Sequence, residues 1–75
     1  MNITVVTGRW AKKFMEQESM EMVVPEHSTV GSVLGTLPIP ADETGMTQVD
    51  GKTVKEDFLL SAGCILKIFP VIIGG

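Results

Sequence analysis

The stretch of sequence that decides the fold is the last one, residues 64–75, CILKIFPVIIGG. Its first six residues, Cys64 to Phe69, are apolar except for Lys67. A nearly continuous apolar run of this length is typical of a strand in the centre of a sheet, buried on both faces. We therefore expect strands from earlier in the chain to flank it.

Two segments near the start of the chain are candidates for these neighbours. Ile3 to Thr7 is β-branched throughout and predicts a strand with Ile3 and Val5 facing the core. A second strand is predicted over Phe14–Val24, because its later part alternates with period two. A helical interpretation of Lys12–Met20 stays open, since Glu, Lys and Met are good helix formers.

A helix is predicted between these strands and the second half of the chain. Ser28 or Thr29 can cap it, and Pro38 and Pro40 end it. Four apolar residues follow the spacing i, i+3, i+4 and i+7, which places them on one helical face: Val30, Val33, Leu34 and Leu37.

The pair Asp50-Gly51 is a strong signal for a two-residue hairpin between Met46–Val49 and Lys52–Val54. Lys55–Leu60 is predicted to form a single helical turn, with the side chains of residues 58 and 59, Phe and Leu, pointing inward. The order strand, strand, helix, hairpin, turn, strand predicts an α+β roll of the ubiquitin type. Its mixed sheet has four to five strands, with one main helix on one face and the last strand beside the first.

Size and charge limit the possible functions. The chain has 75 residues and is 44% hydrophobic, enough for one domain with a packed core. So small a domain favours a binding module or carrier over a stand-alone enzyme. The net charge is −3, from 9 acidic and 6 basic residues, which argues against a nucleic-acid partner. The single cysteine excludes an internal disulfide.

The sequence also predicts a location. Met1 to Thr4 lacks the basic region and long apolar stretch of a signal peptide. The longest apolar stretches, such as Phe69 to Ile73, are far too short to span a bilayer. We expect a cytoplasmic protein without a membrane partner.

Several short motifs follow one another from about Thr29 to the last residue, and in this order they resemble the MoaD/ThiS family of sulfur carriers. Besides the capped helix, they are Val49-Asp50-Gly51-Lys52, Asp57-Phe58-Leu59-Leu60, Ala62-Gly63-Cys64, Ile68-Phe69-Pro70 and Gly74-Gly75. The third differs from the family's usual Asp-Gly-Asp turn, so the turn or partner contact made there by acidic side chains is in doubt. The tail Val71-Ile72-Ile73 is more apolar than usual, which suggests a more apolar docking groove.

The resemblance implies a β-grasp domain over residues 1–70 and a flexible Gly-Gly tail over residues 71–75. It also implies that an E1-like adenylating enzyme uses ATP to join the Gly75 carboxylate to AMP, and that a sulfur donor then converts it to a thiocarboxylate. Gly74 and Gly75 have no Cβ, so the tail can thread a narrow channel. The expected contacts with the partner are Phe69, Pro70, Val71, Ile72 and Ile73.

In this interpretation the chain is not an enzyme and binds no cofactor, because the catalytic groups belong to its partner. The sulfur acceptor would be bound by a synthase large subunit. The molybdopterin branch is the first choice, because Ile68-Phe69-Pro70 followed by three residues and Gly-Gly resembles its tail. The thiazole synthase branch for thiamin comes second. Two alternatives stay open. One is a ubiquitin-like modifier joined to lysines through Gly75, which the same tail and activation would serve, and the other is a plain interaction domain with an accidental Gly-Gly.

Three side chains outside the tail are candidate functional residues. Cys64 could relay sulfur, but a lone cysteine at the start of a strand more often packs as a small apolar residue. Trp10 is either a partner contact or a cover for the open end of the core. His27 has no second histidine or cysteine nearby, so we expect a solvated turn residue and no metal site.

Overall fold

The structure is a computed structural model that describes residues 1–72. Within this range the chain forms five strands, one α-helix and two 3-10 turns, at Arg9–Ala11 and Ala41–Glu43. The elements are β1 (Asn2–Val6), β2 (Ser19–Val23), α1 (Val30–Leu34), β3 (Thr44–Val49), β4 (Lys52–Val54) and β5 (Ile65–Pro70). None of the helical segments in these residues is long and apolar enough to cross a bilayer.

The strands of the described chain form one mixed sheet in the order β2-β1-β5-β3-β4. β5 is parallel to β1, with Val5 opposite Leu66, and antiparallel to β3, with Val49 opposite Leu66. The two outer pairs, β1 with β2 and β3 with β4, are antiparallel hairpin-type pairs. The predicted α+β roll, with the last strand beside the first, is confirmed.

The core lies between one face of the sheet and α1. Its fully buried side chains come from β1, β5 and α1 and are Ile3, Val5, Leu66, Ile68, Val30 and Val33. The other face of β5 is open: Ile65 is 48% exposed and Lys67 is exposed as well. The expectation that β5 is buried on both faces is therefore wrong, because the short helix covers one face of the sheet only.

The start of α1 is fixed by a reciprocal capping box. The Thr29 hydroxyl accepts a hydrogen bond from the Ser32 N–H at 3.1 Å, and the Ser32 hydroxyl accepts one from the Thr29 N–H at 3.0 Å. This arrangement satisfies two backbone donors that the helix itself leaves without partners. The helix ends at Leu34, so the prediction that it includes Leu37 and is ended by Pro38 is wrong. A helix of five residues is not stable alone, so these caps and its packing on the sheet hold it in place.

The segment between β4 and β5 also supports the helix. The carbonyl of Phe58 accepts a hydrogen bond from the Val30 N–H at 3.0 Å, and Leu59 forms an isolated antiparallel bridge with Thr29. The Phe58 N–H donates to the Lys55 carbonyl at 3.1 Å, so the predicted single turn is limited to residues 55–58, and the chain is extended beside α1 from there on. Phe58 and Leu59 are exposed and Leu60 is buried, so the predicted inward positions of Phe58 and Leu59 are wrong.

The second strand is shorter than predicted. The expected strand over Phe14–Val24 is wrong in its first part, and β2 begins at Ser19. The carbonyl of Ala11 accepts hydrogen bonds from the N–H groups of residues 14 and 15, both at 2.9 Å, which folds that part into a turn. β1 ends at Val6, opposite Ser19, and the Thr7 N–H still donates to the Glu18 carbonyl at 2.8 Å, so residues 14–17 have no strand to pair with.

The β3–β4 hairpin turns at Asp50-Gly51, as predicted. Asp50 has φ 49° and Gly51 has φ 86°, and two successive positive φ angles are those of a type I′ turn. Asp50 also ties the hairpin to β5. Its N–H donates to the Ile65 carbonyl at 3.0 Å, and its carboxylate accepts from the Ile65 N–H at 2.9 Å. One residue therefore forms the turn and extends the β3–β5 ladder.

We expect Asp50→Ala to lower the free energy of unfolding by about 1–2 kcal/mol, because it removes the acceptor of the Ile65 N–H. Alanine also tolerates a left-handed backbone poorly. Asp50→Asn is the matched control, since it keeps an acceptor oxygen and accepts positive φ. Urea unfolding of the three proteins measures the effect. Equal losses in the two variants would contradict this role of the side-chain oxygen.

Candidate functional site

The described part of the predicted site lies where the chain leaves the centre of the sheet. Phe69 and Pro70 are the half-buried last residues of β5. Val71 is exposed, and Ile72 is 87% exposed. The other predicted site residues, Ile73, Gly74 and Gly75, lie outside the described residues.

The exit from β5 is held against the start of β3. Pro70 lies opposite Thr44 in the sheet. One residue further on, the Val71 N–H donates a hydrogen bond to the Glu43 carbonyl at 3.3 Å. Glu43 is the last residue of the 3-10 turn that precedes β3. The folded body therefore controls the backbone as far as Val71.

The open face of the sheet borders this exit. Ile65, Lys67 and Phe69 alternate along β5 on that face, opposite to the buried Leu66 and Ile68. The Lys67 ammonium lies 5.5 Å from the centroid of the Phe69 ring, within the range of a cation–π interaction. On β5, the open face thus combines exposed apolar surface with the charge of Lys67, and exposed apolar surface is typical of a surface that meets a partner.

Two further exposed apolar residues lie in this region, Ile65, which was predicted to be buried, and Met46, for which the sequence allowed either the core or the exposed face of the sheet. Met46 lies on β3, the neighbour of β5, and its sulfur accepts a hydrogen bond from the Thr53 hydroxyl on β4 at 3.5 Å. The available signal for Ile65 was the period of two along β5, which places it on the same face as Lys67. The signal was hard to see because Ile65 and its buried neighbour Leu66 have similar hydropathy.

Of the three candidate side chains outside the tail, two pack in or against the core and one is exposed in a turn. Cys64 is 2% exposed and belongs to the core cluster, which is the packing role expected for it. The ring of Trp10 packs against the core, and its indole N–H donates to the Thr7 carbonyl at 2.8 Å. His27 is exposed in a turn with φ 68°. Within residues 1–72, no three His, Cys, Asp or Glu side chains converge as a metal site would require.

A surface groove of about 790 Å³ lies between α1 and the β3–β4 hairpin. Its apolar lining includes Leu34, Leu37 and Ile39. The titratable side chains among its lining residues are Lys55 and Glu56. The groove therefore offers apolar contact rather than the convergent set of polar groups that a catalytic pocket needs.

The described elements, a five-stranded mixed sheet with one helix on one face, define a ubiquitin-like β-grasp protein. Two solved structures share this fold across nearly the whole chain. The crystal structure of SAMP1 from Haloferax volcanii has a TM-score of 0.78 at 18% identity and covers 100% of both chains. A protein from Pyrococcus furiosus, assigned as molybdopterin converting factor subunit 1, has a TM-score of 0.79 at 15% identity, covering 95% of this chain and 98% of the other.

The family model of the Mut7-C ubiquitin family matches residues 10–73. The chain therefore belongs to the Mut7-C ubiquitin family. Among curated proteins, none matches the sequence. The predicted relationship to ubiquitin-like proteins of the MoaD/ThiS type is confirmed at the level of family and fold. The division into domain 1–70 and tail 71–75, and the roles of the tail residues, stay predictions.

We expect Ile72→Asp to weaken binding of the protein to an E1-like adenylating enzyme without unfolding it. Burial of an isoleucine side chain contributes about 1.5–3 kcal/mol, so the affinity should fall by about tenfold or more. Leu59→Asp is the matched control, because Leu59 is 58% exposed and lies beside the start of α1, on the side of the sheet that the helix covers. Titration calorimetry measures both variants. Equal affinity of Ile72→Asp and the wild type would contradict a docking role for the tail.

Proposed function

We propose that this chain is a ubiquitin-like sulfur carrier whose reactive group is the carboxylate of Gly75. The observation that carries the proposal is the position of the tail. Residues Phe69–Ile72 leave the centre of the sheet beside an exposed apolar face, and the sequence continues from there to Gly74-Gly75. A body that docks through this face would present the tail to a partner's active site.

Two chemical steps follow from this assignment. The Gly75 carboxylate attacks the α-phosphorus of ATP, which forms an acyl adenylate and releases pyrophosphate. A sulfur donor at the oxidation level of sulfide then attacks the carbonyl carbon. The bond between this carbon and the phosphate oxygen breaks, and AMP leaves with the electron pair. The product is a thiocarboxylate, with one oxygen of Gly75 replaced by sulfur.

The chain acts in this scheme as a cosubstrate rather than as an enzyme. Binding of the body at a distance from the reaction positions the tail, and the energy of that contact serves catalysis on the partner. The partners are an E1-like adenylating enzyme, a sulfur donor and a synthase large subunit, all in the cytoplasm. ATP belongs to the activating enzyme, and the carrier binds no cofactor of its own.

Molybdopterin synthesis is the pathway we favour for the sulfur. The Ile68-Phe69-Pro70 strand end supports it, and so does the shared fold with the Pyrococcus furiosus protein assigned as a molybdopterin converting factor subunit. The thiazole of thiamin is the second acceptor. A modifier joined to lysines through Gly75 is the alternative function, favoured by the shared fold with small archaeal modifier protein 1 of Haloferax volcanii.

The test is the intact mass of the protein after incubation with an E1-like adenylating enzyme, ATP and sulfide. We expect a mass gain equal to the replacement of one oxygen by sulfur. The gain should vanish when Gly75 is deleted and persist in Gly35→Ala, a glycine change within the folded body. The absence of any gain in the wild type with several such enzymes would contradict the carrier role.

The modifier alternative has its own readout. Extracts of cells that express the protein are digested and searched by mass spectrometry for lysines linked to Gly75. A carrier yields the thiocarboxylate without such adducts, whereas a modifier yields adducts that disappear when Gly75 is deleted. Abundant adducts without thiocarboxylate would replace the carrier assignment by the modifier.

A further inference from the structure

The pairing of β3 with β5 contains a β-bulge next to the tail. Thr44 lies opposite Pro70 and Thr47 lies opposite Ile68, so two residues of β3, Gly45 and Met46, face the single residue Phe69. A bulge bends its strand and redirects the chain beside it. This bulge lies near the end of β5, opposite Phe69, which is two residues before the exposed Val71.

Gly45 leaves no space for a side chain at this bulge. A Cβ at that position would overlap the Pro70 carbonyl oxygen and would lie 2.7 Å from the Pro70 carbonyl carbon and 3.0 Å from the Val71 nitrogen. All three are backbone atoms, so no rotamer change can relieve the overlap. Gly45 is not among the glycines with positive φ, and the requirement for glycine is therefore close approach alone.

A hydrogen bond also holds the backbone that passes over Gly45. The Val71 N–H donates to the Glu43 carbonyl at 3.3 Å, two residues before Gly45. Residues 43–45 thus hold the Pro70–Val71 peptide, and the next residue, Ile72, is 87% exposed. The direction in which the tail leaves the body is set at this single peptide.

We propose that Gly45 is a positioning residue that sets the exit direction of the C-terminal tail relative to the open face. The inference rests on the proposed function. An activating enzyme that binds the folded domain needs the Gly75 carbonyl at a fixed position in its active site. A misplacement of about 1 Å can lower a rate by about 100-fold. Gly45 does this without touching the reacting atoms.

The test compares Gly45→Ala with the wild type in adenylation by an E1-like enzyme, followed by pyrophosphate release at saturating ATP. We expect kcat to fall by up to about 100-fold while KM for the carrier stays near the wild-type value, because the open face is unchanged. Gly35→Ala is the matched control, since its Cβ would meet its nearest atoms at an ordinary 3.6 Å. Assays run below the melting temperature of each variant separate positioning from stability.

Amide hydrogen exchange supplies a second readout that needs no enzyme. In the wild type, the Val71 amide should exchange more slowly than that of Ile72, and Gly45→Ala should remove this protection. The Asp50 amide, bonded to the Ile65 carbonyl at the other end of the same strand pair, should stay protected in the variant and reports that it is folded. Equal exchange of the Val71 and Ile72 amides in the wild type would overturn the inference, even if the variant fails to fold.

The outcomes separate this inference from the proposed function. If the wild type is adenylated and a folded Gly45→Ala is adenylated with the same kcat, the positioning role is overturned and the carrier function stands. If the wild type is not adenylated, the carrier function is overturned. The loss of Val71 protection in Gly45→Ala would then still establish that Gly45 directs the tail.

Discussion

The rest of the structure depends on the pairing of β5 between β1 and β3. β5 comes last among the strands, yet its side chains Leu66 and Ile68 are fully buried in the middle of the sheet. The β1–β2 pair and the β3–β4 pair are not neighbours in the sheet, and β5 lies between them and pairs with both. The strand that completes the core is thus also the strand that carries the tail, and the direction of the tail is coupled to the folded state.

The single helix divides the sheet into a core face and an open face. In a domain of 75 residues, five helical residues and their neighbours cover one side, so alternate residues of β5 belong to different environments. The small size of the domain therefore has a functional consequence. The uncovered face remains available beside the tail, and the apolar side chains on it do not contribute to the core.

The similarity to solved structures is high in shape and low in sequence, with TM-scores of 0.78 and 0.79 at 18% and 15% identity. Such a fold needs alternating strands, one capped helix and a type I′ turn, and many sequences meet these requirements. In the proposed function, the choice between sulfur acceptors depends instead on the surfaces that meet other proteins. The surfaces proposed for that role are the exposed residues of β5 and the apolar tail.

The sequence by itself determined the local elements. The β-branched start, the capped apolar stripe from Val30 and the Asp50-Gly51 turn act over a few residues, so their patterns predicted the roll and the last strand beside the first. The features that it did not reveal arise between segments distant in sequence. Whether residues 14–18 join β2 depends on where β1 ends, and whether Leu59 or Leu60 is buried depends on pairing with the start of α1.

The candidate site divides in the same way. The apolar tail and its two glycines stand out in the sequence, where their position after Ile68-Phe69-Pro70 carries the resemblance to the sulfur carriers. Only the tertiary structure separated the open face of β5 from its buried face, since the two differ in whether a helix lies above them. Gly45 was likewise visible only in the folded chain. The need for glycine there comes from the Pro70–Val71 backbone, which is 25 residues away in sequence and in contact in space.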